Sequence, residues 1–289
     1  MNETVSFRSF DTGDEEYVKE KKAEQASSLL SPAPGHAVED LVFKVTDREG
    51  KIVAGCIGWT DVWGCLTVGA LWVDPPVRKR GIASSLLKEA ERTAKKMGCV
   101  ASLAETFDFQ ARGLYEKLGY SVYAVWEDLP KGHVCYSLQK PLAGTATVDS
   151  ARGYEIRRGD SEDARLIDRK LAESDSSVVK SAHGYRNLNR KIVTADGHLI
   201  AAVTAGIGGW GCGFIEYLWV EETYRRRGFG SMLLRETERA FLERGENVAF
   251  TADVIDRQTD FFTKNGYTVI GSFGNLPNGH KKYWLRKDL

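Results

Sequence analysis

The sequence predicts two α/β domains in tandem, on three observations. The chain has 289 residues, enough for two cores of ordinary size. Its second half restates its first at one fixed offset. Within each half, short apolar strands alternate with helices that carry an apolar stripe.

The repeat can be followed residue by residue. Trp63-Gly64-Cys65 returns as Trp210-Gly211-Cys212, and Leu71-Trp72-Val73 as Leu218-Trp219-Val220. Arg78, Arg80 and Gly81 return as Arg225, Arg227 and Gly228, an offset of 147 (228 − 81). Gly119-Tyr120, Gly132-His133 and Leu142 return at the same offset as Gly266-Tyr267, Gly279-His280 and Leu289. Aligned without gaps from Val45 to Leu142, the copies share roughly thirty identities, about a third. Only the opening segment needs a small gap, with Phe7-Arg8 matching Ile156-Arg157. A period this long marks a duplicated domain, not a solenoid. The expected domains are 1–142 and 153–289, joined by a linker at 143–152 that is rich in small residues.

In the first copy, residues 5–7 read as a short strand and 14–30 as a mostly polar helix, broken off by Pro32 and Pro34. Residues 41–46 and 52–58 read as strands around the turn Asp47-Arg48-Glu49-Gly50. A buried strand at 66–73 leads into a loop at 74–80, then a helix from about 81 to 97. Its apolar positions Ile82, Leu86, Leu87, Ala90, Ala94 and Met97 keep helical spacing, Lys88, Glu89, Glu91, Arg92 and Lys95 are expected to face water, and Gly98 stops it. A strand at 100–104, a short helix at 110–118 and two strands within 120–138, turning at Pro130-Lys131-Gly132, complete the copy. The second copy repeats the order, its long helix starting at Gly228 with Phe229, Leu233, Leu234, Ala240 and Phe241 on one face.

Composition narrows the function. Net charge is zero, divided as roughly −2 and +2 between the halves, without the basic stripe that a nucleic-acid binder needs. No run approaches the ~20 apolar residues of a membrane span, and the polar start lacks a signal-peptide core. Five cysteines, an odd number without CxxC pairing, suit small core residues in a reducing cytoplasm. No His/Cys/Asp cluster has metal-ligand spacing, so no metal is expected.

The chemistry is concentrated where an apolar strand meets an arginine-rich loop, a glycine and a helix. These segments are Arg78-Lys79-Arg80-Gly81-Ile82-Ala83-Ser84 and Arg225-Arg226-Arg227-Gly228-Phe229-Gly230-Ser231. A helix start leaves backbone N–H groups unpaired and carries about half a positive charge. Glycine or alanine lets an anion approach those groups, and arginines add charge and forked donors, together suiting a pyrophosphate. Ser84 and Ser231 could each add a hydroxyl. The plain alternative, a glycine that only starts a helix beside solvated arginines, is weakened by the recurrence behind the same Leu-Trp-Val strand. There is no Gly-Lys-Ser/Thr of a P-loop and no G-x-G-x-x-G.

Arg-x-x-Gly-x-Gly/Ala after an apolar strand, with Leu114-Tyr115-Glu116-Lys117-Leu118-Gly119-Tyr120 downstream, resembles the GNAT superfamily of acetyl-CoA-dependent N-acetyltransferases. The resemblance spans nearly all of both halves. It implies two GNAT-like domains, each a mixed, mostly antiparallel sheet flanked by helices. It implies that amides from Arg80 to Ser84 and from Arg227 to Ser231 bind the coenzyme A pyrophosphate. The pantetheine arm would then lie by Leu71, Trp72 and Val73, or by Leu218, Trp219 and Val220. The implied partners are acetyl-CoA and a small amine acceptor, with no nucleic acid or membrane; a homo-oligomer is compatible with this reading. The implied chemistry is direct: a base deprotonates the amine, the amine attacks the thioester, and a tyrosine protonates the thiolate.

Tyr115 stands at that tyrosine's position, whereas the second copy has Phe262, which has no proton to give. Conversely Glu216 stands on the strand before the loop, where the family often carries a base, and the first copy has Gly69. Glu105 or Asp61 could replace the missing base in the first copy, which makes that copy the expected catalyst. The competing reading is that one or both copies are non-catalytic acyl-CoA-binding modules. His133 and His280 follow Pro-x-Gly, His36 and His183 precede the second strand, and all four are candidates for substrate contact or structure. Trp63, Trp72, Trp210 and Trp219 are expected to pack on the sheet.

Overall fold

The computed structural model describes residues 5–29, 37–142, 154–176, 186–208, 211–274 and 281–289. The expected linker, His36, His183, Trp210 and His280 lie outside them. In the first copy the elements are β1 (Val5–Ser9), α1 (Asp14–Leu29), β2 (Asp40–Thr46), β3 (Ile52–Thr60), β4 (Cys65–Val73), α2 (Ile82–Lys96), β5 (Ala101–Phe107), α3 (Arg112–Lys117), β6 (Ser121–Glu127) and β7 (Val134–Pro141). The second copy supplies β8 (Ile156–Arg158), α4 (Ser161–Asp175), β9 (Arg186–Asn187), β10 (Arg190–Thr194), β11 (Leu199–Gly208), β12 (Cys212–Val220), α5 (Phe229–Leu242), β13 (Val248–Ile255), α6 (Asp256–Lys264), β14 (Thr268–Phe273) and β15 (Lys282–Asp288). No helix among the described residues is long and apolar enough to cross a membrane.

The chain forms two compact units, 32–126 with 133–180, and 1–31 with 127–132 and 181–289. They depart from the boundaries at 142 and 153 that the sequence repeat suggests: the opening strand and helix of each copy belong to the unit built on the other. In the unit containing α2, the strands are ordered β8-β2-β3-β4-β5-β7-β6. In the unit containing α5, the order is β1-β10-β11-β12-β13-β15-β14, with β9 beside β11. Each is a mixed sheet: β4–β5 and β12–β13 pair in parallel, whereas β3–β4, β5–β7, β11–β12, β13–β15 and β14–β15 are antiparallel.

One recurring ion pair accompanies the exchange. Lys44 on β2 donates to Asp163 of α4 at 2.7 Å, and β8 pairs antiparallel with β2. At the repeat offset, Lys191 on β10 donates to Asp14 of α1 at 2.6 Å and to Asp11 at 2.8 Å, and β1 pairs with β10. A buried ammonium is tolerated only when paired in this way.

The apolar periodicity is realised as expected, but Glu91, expected to face water, is only 2% exposed, its carboxylate accepting from Lys140 at 2.6 Å. Ile82, Leu86, Leu87, Ala90 and Ala94 of α2 are buried in one cluster with Leu41, Phe43, Cys56, Leu66 and Val68. Leu233, Leu234, Ala240 and Phe241 of α5 do the same against Ile192, Val203 and Ile215. A second, smaller cluster joins Ile167 of α4 to Val42, Ala70 and Trp72. Its counterpart joins Val18 of α1 to Ala202 and Trp219. Trp72 and Trp219 are thus packing residues beneath the exchanged helices.

Candidate active site

The two parallel strand pairs stop short. β4 pairs with β5 only from Cys65–Ala101 to Val68–Ala104, and β12 with β13 only from Gly213–Ala249 to Ile215–Thr251. The residues that follow, Gly69–Val73 and Glu216–Val220, remain paired with β3 and β11 on their other side, apart from one bulged residue in each strand. On the side facing β5 or β13 no ladder register continues past these pairs among the described residues, and such an edge can take up an extended ligand in the manner of strand addition. The register on the paired side slips by one residue at Gly69 in β4 and at Glu216 in β12. A bulge re-aims the side chain it carries, and each of these positions directly follows the last parallel pair of its strand.

Each open edge leads to an uncapped helix start. Gly81 (φ 80°) and Gly228 (φ 89°) are the N-caps of α2 and α5, both left-handed and without a side-chain cap bond. The preceding Lys79 and Arg226 also have positive φ, 61° and 59°, so both loops share one conformation. The first-turn amides of Ile82, Ala83 and Ser84, and of Phe229, Gly230 and Ser231, therefore point outward with the helix dipole behind them. A Cβ on Gly81 or Gly228 would meet nothing within 4 Å, so the space beside each cradle is open. Ile82 and Phe229 are themselves buried, which leaves only their main chain to serve a ligand. These features fit a diphosphate.

The arginines divide their labour. The Nε of Arg78 donates to the carbonyl of Val73 at 2.8 Å, and that of Arg225 to the carbonyl of Val220 at 3.0 Å. Each brace ties the loop to the end of the open edge. Arg80 instead donates to Tyr154 Oη at 3.1 Å, while the Arg227 guanidinium lies 5.0 Å from the Tyr224 ring and 5.4 Å from that of Phe229. An aromatic residue thus partners the last arginine of each loop, Arg80 through a phenol oxygen and Arg227 through ring faces.

Tyr115 and Phe262 occupy matching places. Each is 6% exposed within the apolar cluster under its long helix. Tyr115 meets Tyr120 edge-on at 5.4 Å, and Phe262 meets Tyr267 at 5.4 Å. Burial, with a smaller contribution from Cys56, pushes the Tyr115 phenol well above its ordinary value. Cys56 itself lies on β3, registered opposite Leu71 of β4.

The carboxylates change strand between the clefts. Glu105, next to the last paired residue of β5, is exposed, and Glu216 is exposed at the bulge of β12. Glu216 lies near Lys19 of α1, whose ammonium it helps to hold up after the larger effect of Glu15. Asp61 is used elsewhere: its carboxylate accepts from the amides of Trp63 and Cys65, closing a turn. His133 Nδ1 lies 3.0 Å from Asp108, and its ring meets Phe109 edge-on.

Several residues escaped the sequence reading. Trp59 lies against Gly69. Ser137 donates to Glu105 at 3.1 Å. Gln110 donates to Asp175 of α4 at 2.7 Å. None carries a motif, because each contact depends on strand register or on the packing of separate segments.

The acetyltransferase (GNAT) family matches this chain twice, over residues 6–120 and 154–267. A blasticidin-S acetyltransferase from Streptomyces morookaense is 39% identical over 96 residues, covering 33% of this chain and 70% of that protein. An acetyltransferase from Agrobacterium fabrum is 31% identical over 101 residues, covering 35% of this chain and 73% of that one. Among solved structures, an acetyltransferase from Bacillus cereus is 36% identical, with 46% and 95% coverage and a TM-score of 0.44. A tandem GNAT protein from the clavulanic acid biosynthesis pathway is 17% identical, covers 99% of this chain and 98% of its own, and has a TM-score of 0.39. With both halves matched, the chain belongs to the acetyltransferase (GNAT) family and is, by that membership, an N-acetyltransferase.

Proposed function

We propose that this chain transfers the acetyl group of acetyl-CoA to a primary amine of a small molecule by direct attack on the thioester, and that the cleft of the first copy carries the chemistry. The observation that supports this most is the sequence of features along one line: the open β4 edge, the Arg78 brace and the uncapped start of α2. In this reading the amides of Ile82, Ala83 and Ser84 hold the diphosphate, Arg80 adds charge, and the edge from Leu71 to Val73 aligns the pantetheine arm. Glu105 accepts the amine proton. Tyr115, kept protonated by burial, returns a proton to the leaving thiolate. Holding amine and thioester together supplies much of the acceleration.

In the second copy the same cradle, built on Gly228, Gly230 and Ser231, would take acetyl-CoA with Glu216 as the base. Phe262 at the acid's place favours a second reading for that copy, a module that binds acyl-CoA without turning it over. The buried, free cysteines suit the cytoplasm, where this reading locates the reaction.

The test follows thiol release from acetyl-CoA with purified protein, taking blasticidin S first, since one relative is named for it, and then a panel of small primary amines. Turnover with an amine, lost in Tyr115→Phe and kept in Phe262→Tyr, is the expected result. Native mass spectrometry counts bound acetyl-CoA; no binding at millimolar concentration would sink the proposal.

A further inference from the structure

The indole N–H of Trp126 on β6 donates to Ser137 Oγ on β7 at 2.7 Å, and Ser137 Oγ donates to Glu105 Oε1 on β5 at 3.1 Å. The direction of this chain is forced. An indole N–H can only donate, so Ser137 must accept from it, and its single proton is left to point at Glu105. Ser137 is 0% exposed and Trp126 3%, so water does not compete for either group. Ser137 and Glu105 are registered opposite each other across the β5–β7 ladder, which fixes the contact through the backbone.

The second copy provides an internal control. At the repeat offset, Trp126, Ser137 and Glu105 correspond to Phe273, Trp284 and Ala252 (252 − 105 = 147), a set that cannot form the chain. In that copy the carboxylate stands on the neighbouring strand, at Glu216. The buried donors therefore occur in the copy whose carboxylate is on β5, and the position is apolar in the copy whose carboxylate is not.

We infer that Ser137 and Trp126 are positioning residues for acetyl transfer: they form a one-way hydrogen-bond relay that fixes the Glu105 carboxylate at the mouth of the first cleft and favours its ionised, proton-accepting form. The inference rests on the reading of Glu105 as the base. A donor aimed at a carboxylate stabilises the charged form, so removing it makes the carboxylate hold a proton at higher pH. Cys135 on β7 also feels Glu105: its thiol is pushed up chiefly by burial and then by Glu105 itself. It stays neutral while the carboxylate titrates.

The experiment uses the full chain labelled with 13C-glutamate, with the Glu105 resonance identified by its absence in Glu105→Gln. Ser137→Ala is expected to move its titration midpoint up by about one pH unit. Trp126→Phe is expected to move it in the same direction by less, because the hydroxyl remains but is no longer oriented. Ser137→Thr, which restores a hydroxyl, should bring the midpoint back toward that of the unaltered chain. With blasticidin S or another accepted amine, Ser137→Ala should shift the acid limb of kcat/KM upward. The loss is about tenfold below that limb and vanishes above it. A purely structural role for Ser137 would lower activity evenly across pH and leave the midpoint in place. That result overturns the relay, and an unmoved midpoint in Trp126→Phe overturns it if Ser137→Ala does not fold. A shifted midpoint without turnover of any amine supports the relay and instead sinks the acetyl-transfer chemistry assigned to Glu105.

Discussion

The indole of Trp59 occupies the space that a side chain at Gly69 would need: a Cβ built on Gly69 lies 2.5 Å from Cζ3 of the ring. At the repeat offset, Trp59 becomes Gly206 and Gly69 becomes Glu216 (206 − 59 = 147), so bulk and absence of bulk trade places between neighbouring strands. Trp59 is 40% exposed and its ring can turn outward, so Gly69→Glu alone should cost only about 1 kcal/mol, near the lower end of overpacking changes. Adding Trp59→Gly should recover that steric cost. A double-mutant cycle followed by denaturant unfolding is expected to show coupling of at least ~0.5 kcal/mol between the two sites. Additive effects would show that the ring does not guard this position.

Tyr115→Phe is expected to lower kcat by ~10²- to 10⁴-fold, with little change in acetyl-CoA affinity. Burial raises the phenol above its ordinary value of about 10. The folded chain therefore keeps it protonated as pH rises, and phenol ionisation should impose no loss of activity below about pH 10. The sign for stability is the reverse. Above about pH 10 the unfolded chain ionises this tyrosine more readily than the folded one, so folding stability should fall there. A pH series of kcat and of denaturant midpoints checks both limbs.

Gly81→Val separates the cradle from the fold. Nothing in the protein lies within 4 Å of an added Cβ, so the internal cost is the left-handed φ of 80°, about 1–2 kcal/mol. Affinity for acetyl-CoA at the first site should fall more than tenfold by calorimetry, since bulk would stand on the side of the proposed diphosphate cradle. Gly228→Val reports the second cradle in the same way. Normal binding in both variants would leave the helix starts without the role given them.

The buried thiols should be inert. Burial, with the nearby charges of Glu91, Asp61 and Glu246, raises Cys56 to about 12, Cys99 to about 11 and Cys212 to about 12. Only the thiolate reacts, so at pH 8 these three should resist a thiol reagent in the native chain and react promptly in guanidinium. A fast native reaction at any of them, located by peptide mapping, would contradict the burial described here.

Much of this was legible from residue order alone. The Arg-x-x-Gly loops became the two uncapped helix starts, and the apolar spacing of Ile82, Leu86 and Ala90 became the buried face of α2. Distant contacts were not legible. Ser137 reaches Glu105 through an antiparallel register, and a sequence does not display register. Arg78 read as a phosphate ligand, yet its Nε turns back to a carbonyl five residues away. The exchange of the opening elements was hidden for a different reason. Asp14 and Asp163 offer the same carboxylate, Lys44 and Lys191 the same ammonium, so either pairing satisfies the pattern and only the fold chooses between them.

That choice can be measured. In the structure Lys44 pairs with Asp163 at 2.7 Å, across 119 residues of sequence, and not with Asp14 of its own copy. A cycle of Lys44→Met with Asp163→Asn should therefore show coupling of ~1–3 kcal/mol, because either single change strands a partly buried charge. Asp163 also accepts from the amide of Asp160 at the start of α4, but that contribution cancels in the cycle. The pair Lys44→Met and Asp14→Asn should be additive within ~0.5 kcal/mol. In the other unit the order reverses: Lys191 should couple to Asp14 and Asp11, and not to Asp163. If Lys44 couples instead to Asp14, each copy keeps its own first helix in solution. The walls over β4 and β12 would then come from α1 and α4 respectively, the reverse of what is described here.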